Sequence, residues 1–309
     1  MAWNFTPATP PTVMAVNSLL NDDFSVITWV GWNGARFPMA GGVAPVPGAQ
    51  NGVYLTSVKG VMAPVKHLTK QGARQDGDDW VDALWDAMEI ELDIDITGTD
   101  PASFRRSARG WLNSWDTKRT GRLSWWTSQS GEWWTDCRLG KEVSDPLKNA
   151  PAMMNHLPLN WIARSDSGLW QSFDSTSEQM ATDATTLADP NNITPAGFLP
   201  QWNRGDQDGW PRYLVQGPGT FTIGNNGGVG SVTFGPLTLG QQALITTLPN
   251  RRSITDLQTG VNLYSKLSGR FSTSVAPGAA VHVPVSVTGA QAGVTSIQAA
   301  LTPYRKWPE

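Results

Sequence analysis

The sequence holds little charge, a single cysteine, three histidines and no long apolar run. Lys, Arg, Asp and Glu make up 16% of its 309 residues, and their formal balance is −3. Nucleic-acid binders present basic faces, so a sparsely charged, slightly acidic chain is a poor general candidate for that class. Cys137 has no second cysteine to pair with, which excludes a disulfide within the chain. It lies in a Trp-flanked apolar run, where a buried, inert thiol is expected rather than a nucleophile. His67, His156 and His282 are scattered and have no partners at metal-ligand spacing. The opening stretch MAWNFTPATPPTVMAVNSLL lacks a basic start and is interrupted by Pro7, Pro10 and Pro11. It reads as neither a signal peptide nor a membrane anchor. Synthesis in a cytoplasm is therefore expected, and the sequons at Asn4 and Asn192 then have no secretory route.

Catalytic signatures are missing as well. There is no G-x-S-x-G elbow, no H-E-x-x-H and no P-loop. The glycine-rich GNNGGVG, residues 224–230, joins two strand-like runs and opens no helix, so it reads as a hairpin turn. DIDITG, from Asp93, has Gly98 at the sixth position of a calcium loop. Thr97 stands where Asp or Asn is usual, however, and Phe104 where a bidentate Glu is required, so calcium is rejected. Neither an enzyme nor a cofactor is expected.

What the chain does have is 22 prolines, 31 glycines and 16 tryptophans. That balance suits many short strands joined by turns, in two globular domains large enough to bury cores. FSVITWVGW is strand-like, FPMAGGVAPVPGAQNG (37–52) is loop by composition, and TKQGARQDGDDW (69–80) reads as an exposed polar loop. The clearest signal is EIELDIDI. Ile90, Leu92, Ile94 and Ile96 alternate with Glu89, Glu91, Asp93 and Asp95, so a strand puts four carboxylates on one face. A single helix is expected over 101–116. Asp100 caps it, Pro101 starts it, and Phe104, Ala108, Trp111, Leu112 and Trp115 form its apolar stripe. Arg105, Arg106 and Arg109 lie off that stripe.

Next comes a hairpin with strands RLSWWT and EWWTDCRL around SQSG. Adjacent strand residues point to opposite faces, so Trp125-Trp126 and Trp133-Trp134 put one ring of each pair on each side. A tryptophan buries about 150–250 Å², an upper bound of roughly 4–6 kcal/mol. Four exposed rings would leave an apolar patch that a soluble monomer seldom carries. Packing and assembly is one reading of the pairs, and a ligand platform is the other. Residues 165–203 contain five acids (Asp166, Asp174, Glu178, Asp183, Asp189) and no Lys or Arg, which marks an inter-domain excursion. The remainder is a series of short strands with turn residues between them, as in a β-sandwich. The expected division is 1–190, with linker from about 165, and 195–309.

The order of these features resembles a siphophage distal tail protein, the minor tail protein of actinobacteriophages. The resemblance is carried by DPASFRRSARGWLNSWDT, then GRLSWWTSQSGEWWTDCRLGKEVSDPL, then NWIARSDSGLW, then the β-only VQGPGTFTIGNNGGVGSVTFGPLTLGQQALITTLPNRRSITDL and VNLYSKLSGRFSTSVAPGAAVHVPVSVTGA, and last TSIQAALTPYRKWPE. It runs nearly the length of the chain, and no single motif in it is diagnostic. It implies a mainly β fold: an N-terminal ring-forming belt domain with one amphipathic helix, and a C-terminal galectin-like β-sandwich. It further implies a homohexameric ring at the distal end of a long non-contractile tail, contacting the tail tube protein, the tail-tip hub protein and the tape measure protein. DNA passes through that ring transiently, and there is no membrane anchor. The subunit-interface candidates are Arg105, Arg109, Trp111, Trp115, Trp125, Trp126, Trp133 and Trp134. Glu89, Glu91, Asp93 and Asp95 either wall the lumen, repelling phosphate, or form an ordinary solvated face. A carbohydrate-binding host-adhesion module is the alternative function, with Trp202, Trp210 and Tyr213 as sugar-stacking rings.

Overall fold

The computed structural model describes residues 25–41, 44–45, 49–141, 155–181 and 196–309. The sequons, the first 24 residues and part of the proposed linker lie outside them. The chain divides into two compact units. One runs up to Ser172 and takes in Arg305–Glu309, and the other is Phe173–Tyr304. This division falls earlier than 190–195, and it returns the last five residues to the first unit.

The first unit is an antiparallel sheet with one helix. Its strands are β1 (Val26–Val30), β2 (Arg36–Ala40), β3 (Gly52–Lys59), β4 (Val65–Lys70), β5 (Asp79–Trp85), β6 (Met88–Thr97), β7 (Gly121–Thr127), β8 (Gly131–Leu139), β9 (His156–Ser165) and β10 (Trp170–Gln171). The main sheet runs β2-β1-β7-β8-β9-β6-β3, while β4 and β5 form a separate two-stranded ribbon. Parts of 37–52 and 69–80, expected as loop, therefore contribute strand. Their polar or proline-containing composition hid an extended backbone.

Helix α1 (Pro101–Asn113) begins as expected. The Asp100 carboxylate accepts from Ala102 N at 2.8 Å and Ser103 N at 3.0 Å, and Ser103 Oγ accepts from Asp100 N at 3.1 Å. Two orphan amides and the cap's own N–H are thereby satisfied. Phe104, Ala108, Trp111 and Trp115 pack inward, but Leu112, at the edge of the stripe, is exposed. Beneath the helix lies a cluster of rings. Trp29 stacks on Trp115 with centroids 3.6 Å apart, and Trp111 meets Phe37, Trp115 and Trp161 edge-on at 5.4–5.7 Å. Trp29 Nε1 donates to Ser114 Oγ at 2.9 Å. Gly121 is required beside this cluster, because a Cβ there would come within 2.5 Å of the Trp29 ring.

The second unit is a sandwich of two antiparallel sheets. Its strands are β11 (Ser175–Thr176), β12 (Met180–Ala181), β13 (Ala196–Trp202), β14 (Arg212–Gln216), β15 (Gly219–Gly224), β16 (Ser231–Leu237), β17 (Gln242–Thr246), β18 (Ser253–Asp256), β19 (Leu267–Ser268), β20 (Ala280–Thr288) and β21 (Ser296–Leu301). One sheet is β11-β21-β14-β17-β18, with β12 also on β21; the other is β13-β20-β15-β16-β19. Part of the stretch read as linker is thus strand. Ser175 and Thr176 pair with Leu301 and Ala300, and Met180 and Ala181 with Ile297 and Ser296. GVNLYSKL, within the stretch expected as short strands, makes a turn of 3-10 helix at Tyr264–Lys266 before the two residues of β19. Tyr213, Val215, Phe221, Ile223, Phe234, Val283, Val285 and Ile297 fill the core between the sheets. Asp256 closes the turn after β18. Its carboxylate accepts from Gln241 Nε2 at 2.7 Å and from the amides of Gln258 and Thr259 at 2.9 Å each. These bonds hold its pKa down to about 2.

Candidate assembly surfaces

In the Trp hairpin, β7 and β8 pair Trp125 with Trp133, Ser124 with Trp134 and Trp126 with Glu132. The pairs therefore split across the two faces, as strand geometry requires. Trp125 and Trp133 point into the core, where Trp170 meets Trp125 edge-on at 6.3 Å. On the other face Trp134 is buried under Arg122, whose guanidinium lies 4.5 Å from the ring centroid, and Trp126 is half-buried. Burial also raises the pKa of the neighbouring Glu132, against the pull of Arg122 and Arg36. Cys137 is buried on the same strand, as expected, and burial pushes its thiol up.

This burial corrects the interface candidates. Trp111, Trp115, Trp125, Trp133 and Trp134 are each covered within their own unit, so a neighbouring copy cannot reach their rings. Trp126 keeps partial exposure. Arg105 and Arg109 are exposed on the outer side of α1 and form no ion pair among the described residues.

The last residues of the sequence cover the core side of the hairpin. The Arg305 guanidinium sits 4.3 Å from the Trp133 ring centroid. Glu309 Oε1 accepts from Trp125 Nε1 at 3.2 Å and Ser25 Oγ at 2.8 Å. Removing 305–309 uncovers two rings and deletes a cation–π contact. The expected loss is about 1–2 kcal/mol, a fall of about 2–8 °C in the first unit's melting temperature by calorimetry.

The acidic strand β6 alternates as expected. Ile90, Leu92, Ile94 and Ile96 are buried, and the four carboxylates share the opposite face. That face is not uniformly negative. Glu89 pairs with Lys141 at 2.7 Å and Arg164 at 3.8 Å, Asp93 with Lys59 at 3.7 Å, and Asp95 with His156 at 3.2 Å. Asn160 Nδ2 donates to both Glu91 and Asp93, at 2.5 and 2.7 Å, and Ser57 Oγ donates to Asp93 at 2.5 Å. These bonds, that from Ser57 foremost, lower the Asp93 pKa. Apart from Lys141, which lies just past β8, the partners come from the flanking strands β3 and β9, which a reading of one strand's period cannot supply.

The β4–β5 ribbon was missed as a surface. Trp85 packs its base against the core cluster, but Val65, Leu68, Trp80, Val81 and Leu84 are exposed, Trp80 by 64%. Its charges are segregated. VKHLTK carries Lys66 and Lys70 and no acid, while DWVDALW carries Asp79 and Asp82 and no base. None of the four forms an ion pair among the described residues. Neither strand has an alternating pattern or a buried face, so their polarity reads as loop.

In the second unit, Tyr213 cannot stack on a sugar. It is fully buried, lies against Phe271, and donates its hydroxyl to Asn226 Oδ1 at 2.6 Å. Trp210 is half-buried, and Trp202 is 53% exposed at the end of β13. Among the described residues no group of three or more His, Cys, Asp or Glu could hold a metal, and no helix is long and apolar enough to cross a membrane.

No family model matches the sequence, and no curated protein does. Fold comparison is informative instead. A mainly β chain with one helix and sandwich-like antiparallel sheets is the fold of phage distal tail proteins. The crystal structure of the SPP1 Dit (gp 19.1) protein, described as a paradigm of hub adsorption apparatus in Gram-positive infecting phages, aligns at TM-score 0.55 and 11% identity. It covers 91% of this chain and 98% of its own. Chains of the phage P2 baseplate in its activated conformation, with Ca and with Sr, align at TM-scores 0.52 and 0.51 and 8% and 9% identity. Each covers 92% of this chain and 99% of its own.

Proposed function

We propose that this chain is a structural protein of a phage tail tip, forming a ring that joins tail tube to tail-tip hub and lets DNA through. The observation that carries this reading is the extent of the fold match: both units are spanned, over 91% of this chain and 98% of the SPP1 protein. The homohexameric ring, the actinobacteriophage source, the galectin-like character of the second unit, and the tube, hub and tape-measure partners rest on the resemblance. The role is architectural rather than catalytic.

The ribbon supplies a ring contact. A two-stranded ribbon is marginal in water by itself, and both of its outer edges have unpaired backbone groups. Its exposed rings and aliphatics call for a cover. A basic strand and an acidic strand on one ribbon are complementary to the acidic and basic strands of another copy. Such a contact joins unlike surfaces, and unlike surfaces form a ring where the rotation between copies closes. Within that ring β6 is the candidate lumen wall. Lys59, Lys141 and Arg164 offset part of its negative charge, Glu91 keeps no cationic partner among the described residues, and DNA would pass a surface with few free cations to hold it.

The test is the native mass of the purified protein, with negative-stain images of the same sample and of tail assemblies supplied with it. Rings of about six copies with a central hole are expected. A chain that stays monomeric and is also absent from tail tips would sink the reading.

A further inference from the structure

The outward face of the β13-β20-β15-β16-β19 sheet has a chemistry that ring formation does not use. The five strands, AGFLPQW, AVHVPVSVT, GTFTIG, SVTFGPL and LS, contain no Asp, Glu, Lys or Arg. Inward residues such as Leu199, Val283, Val285, Phe221, Ile223, Val232 and Phe234 are buried. Strand alternation sends Phe198, Pro200 and Trp202 of β13 the other way, and Phe198 and Trp202 are 67% and 53% exposed. Their Cα atoms lie about 13 Å apart along the strand, a spacing that one sugar ring does not span. His282 and Pro284 of β20, directly opposite Pro200 and Phe198, are exposed beside them. Arg204 sits 5.8 Å from the Trp202 ring centroid, just past the end of the strand.

Next to the rings runs a row of hydroxyls. Ser286 is in register with Thr222, Thr222 with Thr233, and Thr233 with Ser268, across four neighbouring strands. Adjacent members are separated by about 4.8 Å, the spacing between strands. Each is at least partly exposed, and among the described residues none hydrogen-bonds another side chain. Ser286 faces Ala196, two residues from Phe198, so the row begins where the rings end.

We propose that this face binds an uncharged oligosaccharide, with sugar rings stacked on Phe198 and Trp202 and sugar hydroxyls bonded to the Ser286–Thr222–Thr233–Ser268 row. The electrostatics favour this occupant over others. A face whose strands hold no cation does not recognise phosphate or carboxylate polymers. Rings set apart on a rigid strand beside free hydroxyls match a polyol with alternating apolar and hydrogen-bonding faces. The exposed apolar residues are confined to the edge strand β13 and Pro284 beside it and give way to hydroxyls on the next strands, unlike the broad apolar core of an interface with a folded protein. The inference is independent of the tail-ring reading, since it uses no residue of the first unit.

The experiment screens the full-length chain against an array of neutral and anionic glycans, including a neutral cell-wall polysaccharide and a teichoic acid. The best-retained neutral glycan is then titrated by calorimetry. Retention of a neutral oligosaccharide is expected. Trp202→Ala should weaken it about tenfold, as loss of one stacking ring implies, and the near-isosteric pair Thr222→Val and Thr233→Val should weaken it too. Both variants should keep the wild-type melting temperature and whatever ring the wild type forms. Retention of anionic glycans alone, retention of none, or unchanged affinity in both variants would overturn the proposal. Ring images of the same samples separate that outcome from any failure of the tail-ring reading.

Discussion

Trp111→Ala is expected to unfold the first unit at temperatures where the wild type is stable. The side chain is completely buried and is enclosed by other rings, with Phe37, Trp115 and Trp161 all within 5.7 Å of its centroid. Those rings stand on β2, just past α1 and on β9, and Trp115 is itself locked in a stack with Trp29. Such walls cannot collapse into the space left by an indole, so the cavity term adds to the lost burial. The cost is about 3–5 kcal/mol, or about 6–20 °C in melting temperature for a unit of this size. Trp111→Phe keeps most of the volume and should cost less than half as much. Calorimetry resolves the effect: the first unit's transition should move while the second unit's stays in place. Little change in the first transition would mean the cluster is not the keystone of that core.

Some of this was legible because local and tertiary demands agree. β6 alternates strictly because its aliphatic face is buried, and period two in sequence becomes inside and outside in the fold. The start of α1 is written in Asp100, Pro101 and Ser103, which satisfy backbone amides locally. The two faces of the Trp hairpin follow from pleating alone. What could not be read depends on other strands. Trp111 and Trp115 suggested an interface because the sequence does not show Trp29, Phe37 and Trp161 closing over them. Tyr213 suggested a sugar platform because its partner Asn226 lies across a turn and Phe271 lies far along the chain. The carboxylates of β6 suggested a bare negative wall because Lys59, Asn160 and Arg164 become their neighbours only when β3 and β9 pair with β6. The residues of the proposed glycan face share this property. Phe198 and Trp202 are adjacent in pattern, but the hydroxyl row exists only across four strands. The ribbon failed for the opposite reason: its exposed strands have no buried face, so the polarity that marks a solvent loop also marks an arm awaiting a partner.

Reversing the charge of one ribbon strand, with Lys66→Asp and Lys70→Asp, is expected to abolish ring assembly and leave the chain folded. Both side chains are exposed, so stability should change by less than about 0.5 kcal/mol. Assembly should respond strongly, because every junction in a ring of identical copies carries the same substitution. Each basic strand that met an acidic one becomes acidic, and like charges brought together at a junction cost several kcal/mol. Swapping the other strand as well, by adding Asp79→Lys and Asp82→Lys, restores opposite signs across every junction with the polarity inverted. The fourfold variant should therefore recover rings that the twofold variant lost. Lys70 and Asp79 are also cross-strand partners within the ribbon, so the melting temperature is read alongside: rings lost at an unchanged melting temperature and regained in the fourfold variant mark a contact between copies. Trp80→Ala supplies the apolar half of the same argument. Its ring is 64% exposed in the single chain, and a buried aromatic anchor at an interface is worth about 2 kcal/mol or more, roughly thirtyfold per junction. Sedimentation velocity of the four proteins at one concentration reads all of this at once. If the twofold variant and Trp80→Ala sediment as wild-type rings, the contact between copies lies elsewhere, and exposed Arg105, Arg109 and half-exposed Trp126 become the surfaces to vary.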